Sequence, residues 1–126
     1  MSARGNTVAI VDDDPKVLEA LRDLLESKGF KVFTFNSAKA LLSDTRLAMI
    51  DCLITDIAMP DMNGVELGRE TTLKRPELPI FYITGDSEMA SLAGSAFQGK
   101  ERVFKKPFDS TMLIAALQSA IYIGPI

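Results

Sequence analysis

The sequence contains no histidine, no tryptophan and a single cysteine. It also lacks any apolar run long enough to cross a bilayer. Without histidine there is no Ser-His-Asp or Cys-His catalysis and no imidazole-ligated metal. The lone Cys52 can form neither an internal disulfide nor a cysteine-rich zinc site, and its place in an apolar run reads as a small buried hydrophobe. A metal bound here must be held by oxygen, which points to Mg2+, Mn2+ or Ca2+. Met1 to Asn6 is short and polar, so no secretory signal is visible and the reducing cytoplasm is the default compartment. A formal net charge of −3 argues against gripping nucleic acid by bulk positive charge. What remains is ordinary globular composition, 47% hydrophobic and 25% charged over 126 residues. That length suits one domain, residues 1–126 with a core over about 7–122.

Apolar runs alternate with helical patterns along the chain. Thr7 to Val11 reads as a buried strand; Asp14 then caps a helix with Pro15 at its first position, and Gly29 ends it. Val17, Leu18, Leu21, Leu24 and Leu25 fall on one face of that helix. Phe30 to Phe35 is a second strand, and Ser37 caps a helix bearing Ala38, Leu41 and Leu42. Cys52 to Thr55 is a third strand, reached from Met49 or Ile50. A loop follows over Ile57 to Asn63, with Pro60 and Asn63-Gly64 as turn signals, and then a helix over Val65 to Lys74 closed by Pro76. Pro79 to Ile83 is a fourth strand; Asp86 or Ser87 starts a fourth helix, which Gly94 and Gly99 weaken. Val103 and Phe104 anchor a fifth strand, and Asp109 caps a last helix bearing Leu113, Ile114, Leu117 and Ile121. Five strands alternating with five helices predict an α/β domain with a parallel sheet covered on both faces.

Ligands of such sheets bind beyond the carboxyl ends of the strands, where strand order reverses. For the order 2-1-3-4-5 that place lies between the first and third strands. Asp12 and Asp13 follow the first strand and Asp56 follows the third, so three carboxylates converge there. Two like charges about 4 Å apart repel by roughly 4 kcal/mol at an effective dielectric near 20. Either a pKa rises or a cation sits among them, and a hard divalent cation is the simpler answer. Thr84 ends the fourth strand beside Gly85, and Lys106 follows the fifth. The hydroxyl can bond a phosphoryl oxygen, and the ammonium can pair with a carboxylate or a phosphoryl group. Each residue also has a plainer reading: helix caps for Asp14 and Thr84, a solvated loop lysine for Lys106. The combination around one point is what favours chemistry.

At these residues the sequence resembles the receiver domain of bacterial response regulators. The resemblance runs from about Thr7 to Tyr122. It rests on Val11-Asp12-Asp13-Asp14, on Asp56-Ile57-Ala58-Met59-Pro60-Asp61-Met62-Asn63-Gly64, on Ile83-Thr84-Gly85 and on Lys105-Lys106-Pro107-Phe108. It implies a flavodoxin-like sheet in the order 2-1-3-4-5, with Asp56 as phosphoacceptor and Mg2+ or Mn2+ as cofactor. Asp13 would bind the metal directly and Asp12 mainly through water, with Asp56 and the backbone carbonyl of Ala58 completing the protein's share. Thr84 would bind the phosphoryl group and Lys106 would pair with it, and the Lys106-Pro107 bond would be cis. The donor would be a phosphohistidine of a partner sensor histidine kinase or a phosphotransfer protein. The partner downstream would be an output domain or protein, with no direct nucleic-acid or membrane contact. Homodimerisation through the fourth and fifth helices is left open. The only catalysis implied is of the domain's own phosphorylation and dephosphorylation.

One position departs from the family pattern. An aromatic residue usually stands three residues before the lysine, and here that residue is Val103. Phe104 cannot stand in, because successive strand side chains alternate faces. The usual coupling of Thr84 to an aromatic in the switch region is therefore in doubt, and backbone and loop shifts would have to carry the signal. Three other functions compete. A phosphatase with an aspartate nucleophile wants a second aspartate where Ala58 stands. A flavin carrier would be repelled by Asp12-Asp13-Asp14. A receiver-like interaction module that is never phosphorylated ranks below the active switch because the key positions are intact.

Overall fold

The computed structural model describes residues 5–85, 102–106 and 109–121. Its strands are β1 (Thr7–Val11), β2 (Lys31–Phe35), β3 (Cys52–Asp56), β4 (Ile80–Thr84) and β5 (Arg102–Lys105). All neighbours pair in parallel, in the order β2-β1-β3-β4-β5. The described helices are α1 (Pro15–Ser27), α2 (Ala38–Leu42), α3 (Gly64–Lys74) and α4 (Ser110–Ile121), with a 3-10 helix over Thr45–Met49. The helix expected from Asp86 or Ser87, with Gly94 and Gly99, lies outside the described residues, as does the Lys106-Pro107 bond.

Strand alternation sorts the core onto two faces. Val8 and Ile10 of β1, Cys52 and Ile54 of β3, and Phe81 and Ile83 of β4 pack with Leu18, Leu21 and Leu25 of α1 and Leu113 and Leu117 of α4. Ala9, Val11, Leu53, Ile80 and Tyr82 point the other way, toward Leu41 of α2, Leu47 of the 3-10 helix and Leu67 of α3. Both faces are covered, so β3 and β4 are buried along their whole length. Cys52 is a fully buried part of this core, and desolvation pushes its thiol pKa up.

Local chemistry sets the helix ends. The Asp14 carboxylate accepts from the Lys16 N–H at 2.9 Å, with Pro15 at the first helical position. The Gly29 N–H donates to Glu26 O and the Phe30 N–H to Leu25 O, and Gly29 takes φ 90°, a conformation that favours glycine. The Ser37 hydroxyl caps α2 through the Ala40 N–H. The Asp109 carboxylate caps α4 through the Thr111 N–H at 2.8 Å.

Several boundaries differ from the sequence reading, among them the fourth strand, which runs Ile80–Thr84 rather than Pro79 to Ile83. Strand β2 starts at Lys31, because Phe30 is still closing α1. The third strand is not reached from Met49 or Ile50; Met49 ends the 3-10 helix that Asp44 caps. Helix α3 begins at Gly64, since Asn63 and Glu66 form a reciprocal capping box rather than a simple turn. Asp56 is the last residue of β3 rather than the first after it.

Arg75, just past α3, ties this layer together. Its guanidinium donates to Leu47 O at 3.0 Å and Ile50 O at 2.8 Å, and pairs with Glu77 at 2.9 Å. Removing it leaves two half-buried carbonyls without their donor. Arg75→Ala is expected to cost about 2 kcal/mol in urea unfolding, as for hydrogen bonds from a charged donor. Glu77→Gln should stay within about 0.5 kcal/mol, because that partner is largely exposed. Equal losses from the two variants would show that the carbonyl contacts contribute little.

Candidate functional site

Strands β1, β3 and β5 each continue past their carboxyl ends by one further ladder bond. The Asp12 N–H donates to Phe35 O at 3.2 Å, the Ile57 N–H to Ile83 O at 3.0 Å and the Lys106 N–H to Thr84 O at 2.7 Å. These bonds fix the backbone where the site residues begin. Register then sets who faces whom: Asp56 aligns with Ile83, the residue before Thr84, and Thr84 aligns with Lys105, the residue before Lys106.

Asp12 is 1% exposed and Asp56 is 7% exposed, whereas Asp13 stands in solvent. One carboxylate oxygen from each can be chosen so that all three lie within 4.8 Å of one another. Lys106 reaches in from β5, its Nζ 3.7 Å from Asp12 Oδ2 and 3.9 Å from Asp56 Oδ1. Both separations are within ion-pair range and beyond hydrogen-bond range. Asp12 Oδ1 accepts from the Asp14 N–H at 2.9 Å, but Asp12 Oδ2 is buried without a hydrogen-bond donor. Asp14 itself is the cap of α1, as the sequence reading has it.

Burial is the main cause of raised carboxyl pKa values here. It lifts Asp12 above the ordinary carboxylate range, against the Asp14 N–H and Lys106, which pull it down. Desolvation and the neighbouring Asp12 push Asp56 up to about 6, with Lys106 again opposing. One ammonium among three carboxylates leaves net negative charge in a buried crevice. An orphaned buried oxygen, an all-oxygen donor set and that unbalanced charge fit a hard divalent cation.

The rest of the site lies around this cluster. Ala58 is exposed, two residues beyond Asp56 in the loop before α3. Thr84 is fully buried. Val103 is partly buried and packs on the α2–α3 face, whereas Phe104 packs on the opposite face and stacks on Phe81 with ring centroids 6.0 Å apart. Two features escaped the sequence reading. Gly64 has no room for a side chain: a Cβ there would lie 2.9 Å from the Asp56 carbonyl carbon and from Ile57 Cα, and would strike the Asp56 carbonyl oxygen. Asp61 takes a left-handed φ of 67°, which the short polar side chain of aspartate tolerates. The capping pattern Asn63-x-x-Glu66 marks where α3 starts but not the close approach at Gly64, and nothing in the sequence marked the second.

Residues 8–118 match the family model for the response regulator receiver domain, and the chain belongs to that family. Response regulator protein TodT of Pseudomonas putida is 34% identical over 125 residues, which cover 99% of this chain and 55% of TodT. The chain thus spans a little over half the length of that relative. The structure of response regulator StyR superposes with a TM-score of 0.80 at 37% identity, covering 94% of this chain and 60% of that one. Response regulator protein TrrA of Thermotoga maritima, solved with Mg2+ and BeF, gives a TM-score of 0.79 at 27% identity, covering 91% and 98%. Receiver domains of this family are phosphoacceptor switches of two-component signalling. Among the described residues, no helix is long and apolar enough to cross a membrane.

The raised Asp56 pKa carries a sign. Folded, Asp56 holds its proton up to about pH 6; unfolded, it releases it near 3.8. Between those values the folded state binds more protons, so stability falls as pH rises. Metal-free protein is expected to lose up to roughly 3 kcal/mol between pH 4 and 6.5. Asp56→Asn should be more stable than wild type at pH 7 and flatter across the window. Urea unfolding in chelator checks this, and a wild-type curve as flat as that of the variant would rule out strain at Asp56.

Proposed function

We propose that Asp56 accepts a phosphoryl group from a phosphohistidine of a partner kinase or phosphotransfer protein, and that Asp12, Asp13, Asp56 and the Ala58 carbonyl hold Mg2+ or Mn2+. The observation that supports this best is the cluster of Asp12, Asp13 and Asp56 oxygens within 4.8 Å, with Lys106 3.9 Å from Asp56. The Mg2+–BeF complex of TrrA supports the same ion class in a related domain.

The chemistry asked of the chain is modest, because phosphoryl transfer depends mainly on positioning and charge neutralisation. An Asp56 carboxylate oxygen attacks phosphorus, the P–N bond to the donor imidazole breaks, and the imidazole leaves with the electron pair and takes up a proton. The product is an acyl phosphate. Lys106 pairs with a non-bridging oxygen and the Thr84 hydroxyl donates to another. When bound, the cation offsets charge on the transferred oxygens. The phosphoryl group adds about −1.5 to −2 of charge and biases the domain between two states.

We read residues 1–126 as one receiver domain that regulates an output domain or a protein partner. It catalyses only its own phosphorylation and dephosphorylation.

Incubation with a small-molecule phosphodonor and Mg2+, followed by intact-mass measurement, tests the reading. The expected result is one phosphoryl mass gain that disappears in chelator and in Asp56→Asn. Lys106→Ala should slow the gain by about 100-fold, the scale for losing one group that stabilises charge in the transition state. A folded wild-type protein that gains no mass from the donor or from a cognate kinase would instead be an unphosphorylated interaction module.

A further inference from the structure

Helix α3 meets the sheet through backbone at two points. Its buried face carries Gly64, Leu67, Gly68 and Thr71, and Gly64 and Gly68 lie one turn apart on that face. At the first point Gly64 abuts the Asp56 carbonyl, and the Gly64 N–H donates to Ile57 O at 2.9 Å. At the second, a Cβ on Gly68 would lie 2.9 Å from Tyr82 Cζ and 3.2 Å from Cε1, and nearer still to the hydroxyl oxygen.

Tyr82 is 1% exposed and is among the largest fully buried side chains. Its register partners are Thr55 on one side and Val103 on the other, both small and β-branched. The aromatic ring is therefore the tall element on this part of the sheet, and Gly68 is where α3 accommodates it. Tyr82 also precedes Thr84 by two residues, so the two share a face of β4.

We propose that Tyr82 is a positioning residue for the phosphoacceptor site: seated on Gly68, it sets the height of α3 and thereby the Gly64 contact that holds the Asp56 carbonyl and the loop bearing Ala58. The inference rests on Asp56 being the phosphoacceptor. Packed interiors shift between discrete arrangements rather than deforming smoothly, so lifting α3 at Gly68 displaces its first turn at Gly64.

The test uses Gly68→Ala, Tyr82→Phe and the double variant in the full chain, with two readouts. One is hydrogen exchange at the Gly64 to Leu67 amides, measured against β1 amides in the same metal-free sample. The other is the phosphorylation rate from a small-molecule donor with Mg2+. Gly68→Ala should speed exchange at Gly64 selectively and slow phosphorylation by about tenfold, the scale of a sub-ångström misplacement at a reacting group. Adding Tyr82→Phe removes the atom the new methyl meets most closely, and should recover about threefold. Unaltered phosphorylation in Gly68→Ala, or losses that follow melting temperature with no recovery in the double variant, would overturn the proposal. If Gly68→Ala does not fold, Tyr82→Leu decides: faster Gly64 exchange with β1 unchanged supports the seat, and unchanged Gly64 exchange overturns it. A wild type that gains no phosphoryl group refutes the phosphoacceptor reading, while the exchange readout still decides the Tyr82 contact.

Discussion

Three carboxylates held together against their own repulsion are the constraint on which this structure is organised. Left to themselves, Asp12, Asp13 and Asp56 would separate or take up protons. They do not separate, because Asp12 and Asp56 sit at the ends of adjacent parallel strands that are buried on both faces. The bonds Asp12 N–H to Phe35 O and Ile57 N–H to Ile83 O carry the ladder past the point where the carboxylates emerge. Burial is the larger reason that both Asp12 and Asp56 are pushed up, and the charge of neighbouring aspartates adds to it. Lys106 relieves only part of it, at 3.7 and 3.9 Å rather than at contact. That incomplete neutralisation leaves the site open to a further positive charge.

Most of this was legible in the sequence because parallel strands bring their carboxyl ends to one edge. Once Thr7–Val11 and Cys52–Thr55 read as strands, the order 2-1-3-4-5 brings Asp12 and Asp56 together at one edge. Helix caps were legible for the same local reason: Asp14-Pro15, Ser37 and Asp109 satisfy N–H groups within their own turn. The 3-10 helix over Thr45–Met49 was not, because five residues carry too little periodicity to tell from a loop. The contacts of Gly64 and Gly68 were equally hidden. A glycine in a sequence says that a side chain is absent, and only the approach of the Asp56 carbonyl and the Tyr82 ring says why.

The two faces of the sheet also decide what can sense the site. Phe104 belongs to the face of α1 and α4, stacked on Phe81, and alternation keeps it there. Val103 lies on the other face, a smaller side chain than the aromatic the family pattern places there. The large aromatic of this face stands next door, since Tyr82 aligns with Val103 and rises from β4 on the same side. Moving the aromatic one strand inward changes which element it touches. A large side chain on the edge strand β5 would lie at the rim of the sheet, whereas Tyr82, on β4, lies under α3 at Gly68. Helix α3 starts at the Asp56 carbonyl, so the site and its largest neighbouring aromatic bear on one rigid element from two directions. A displacement at either contact is then felt at the other without a moving aromatic on β5.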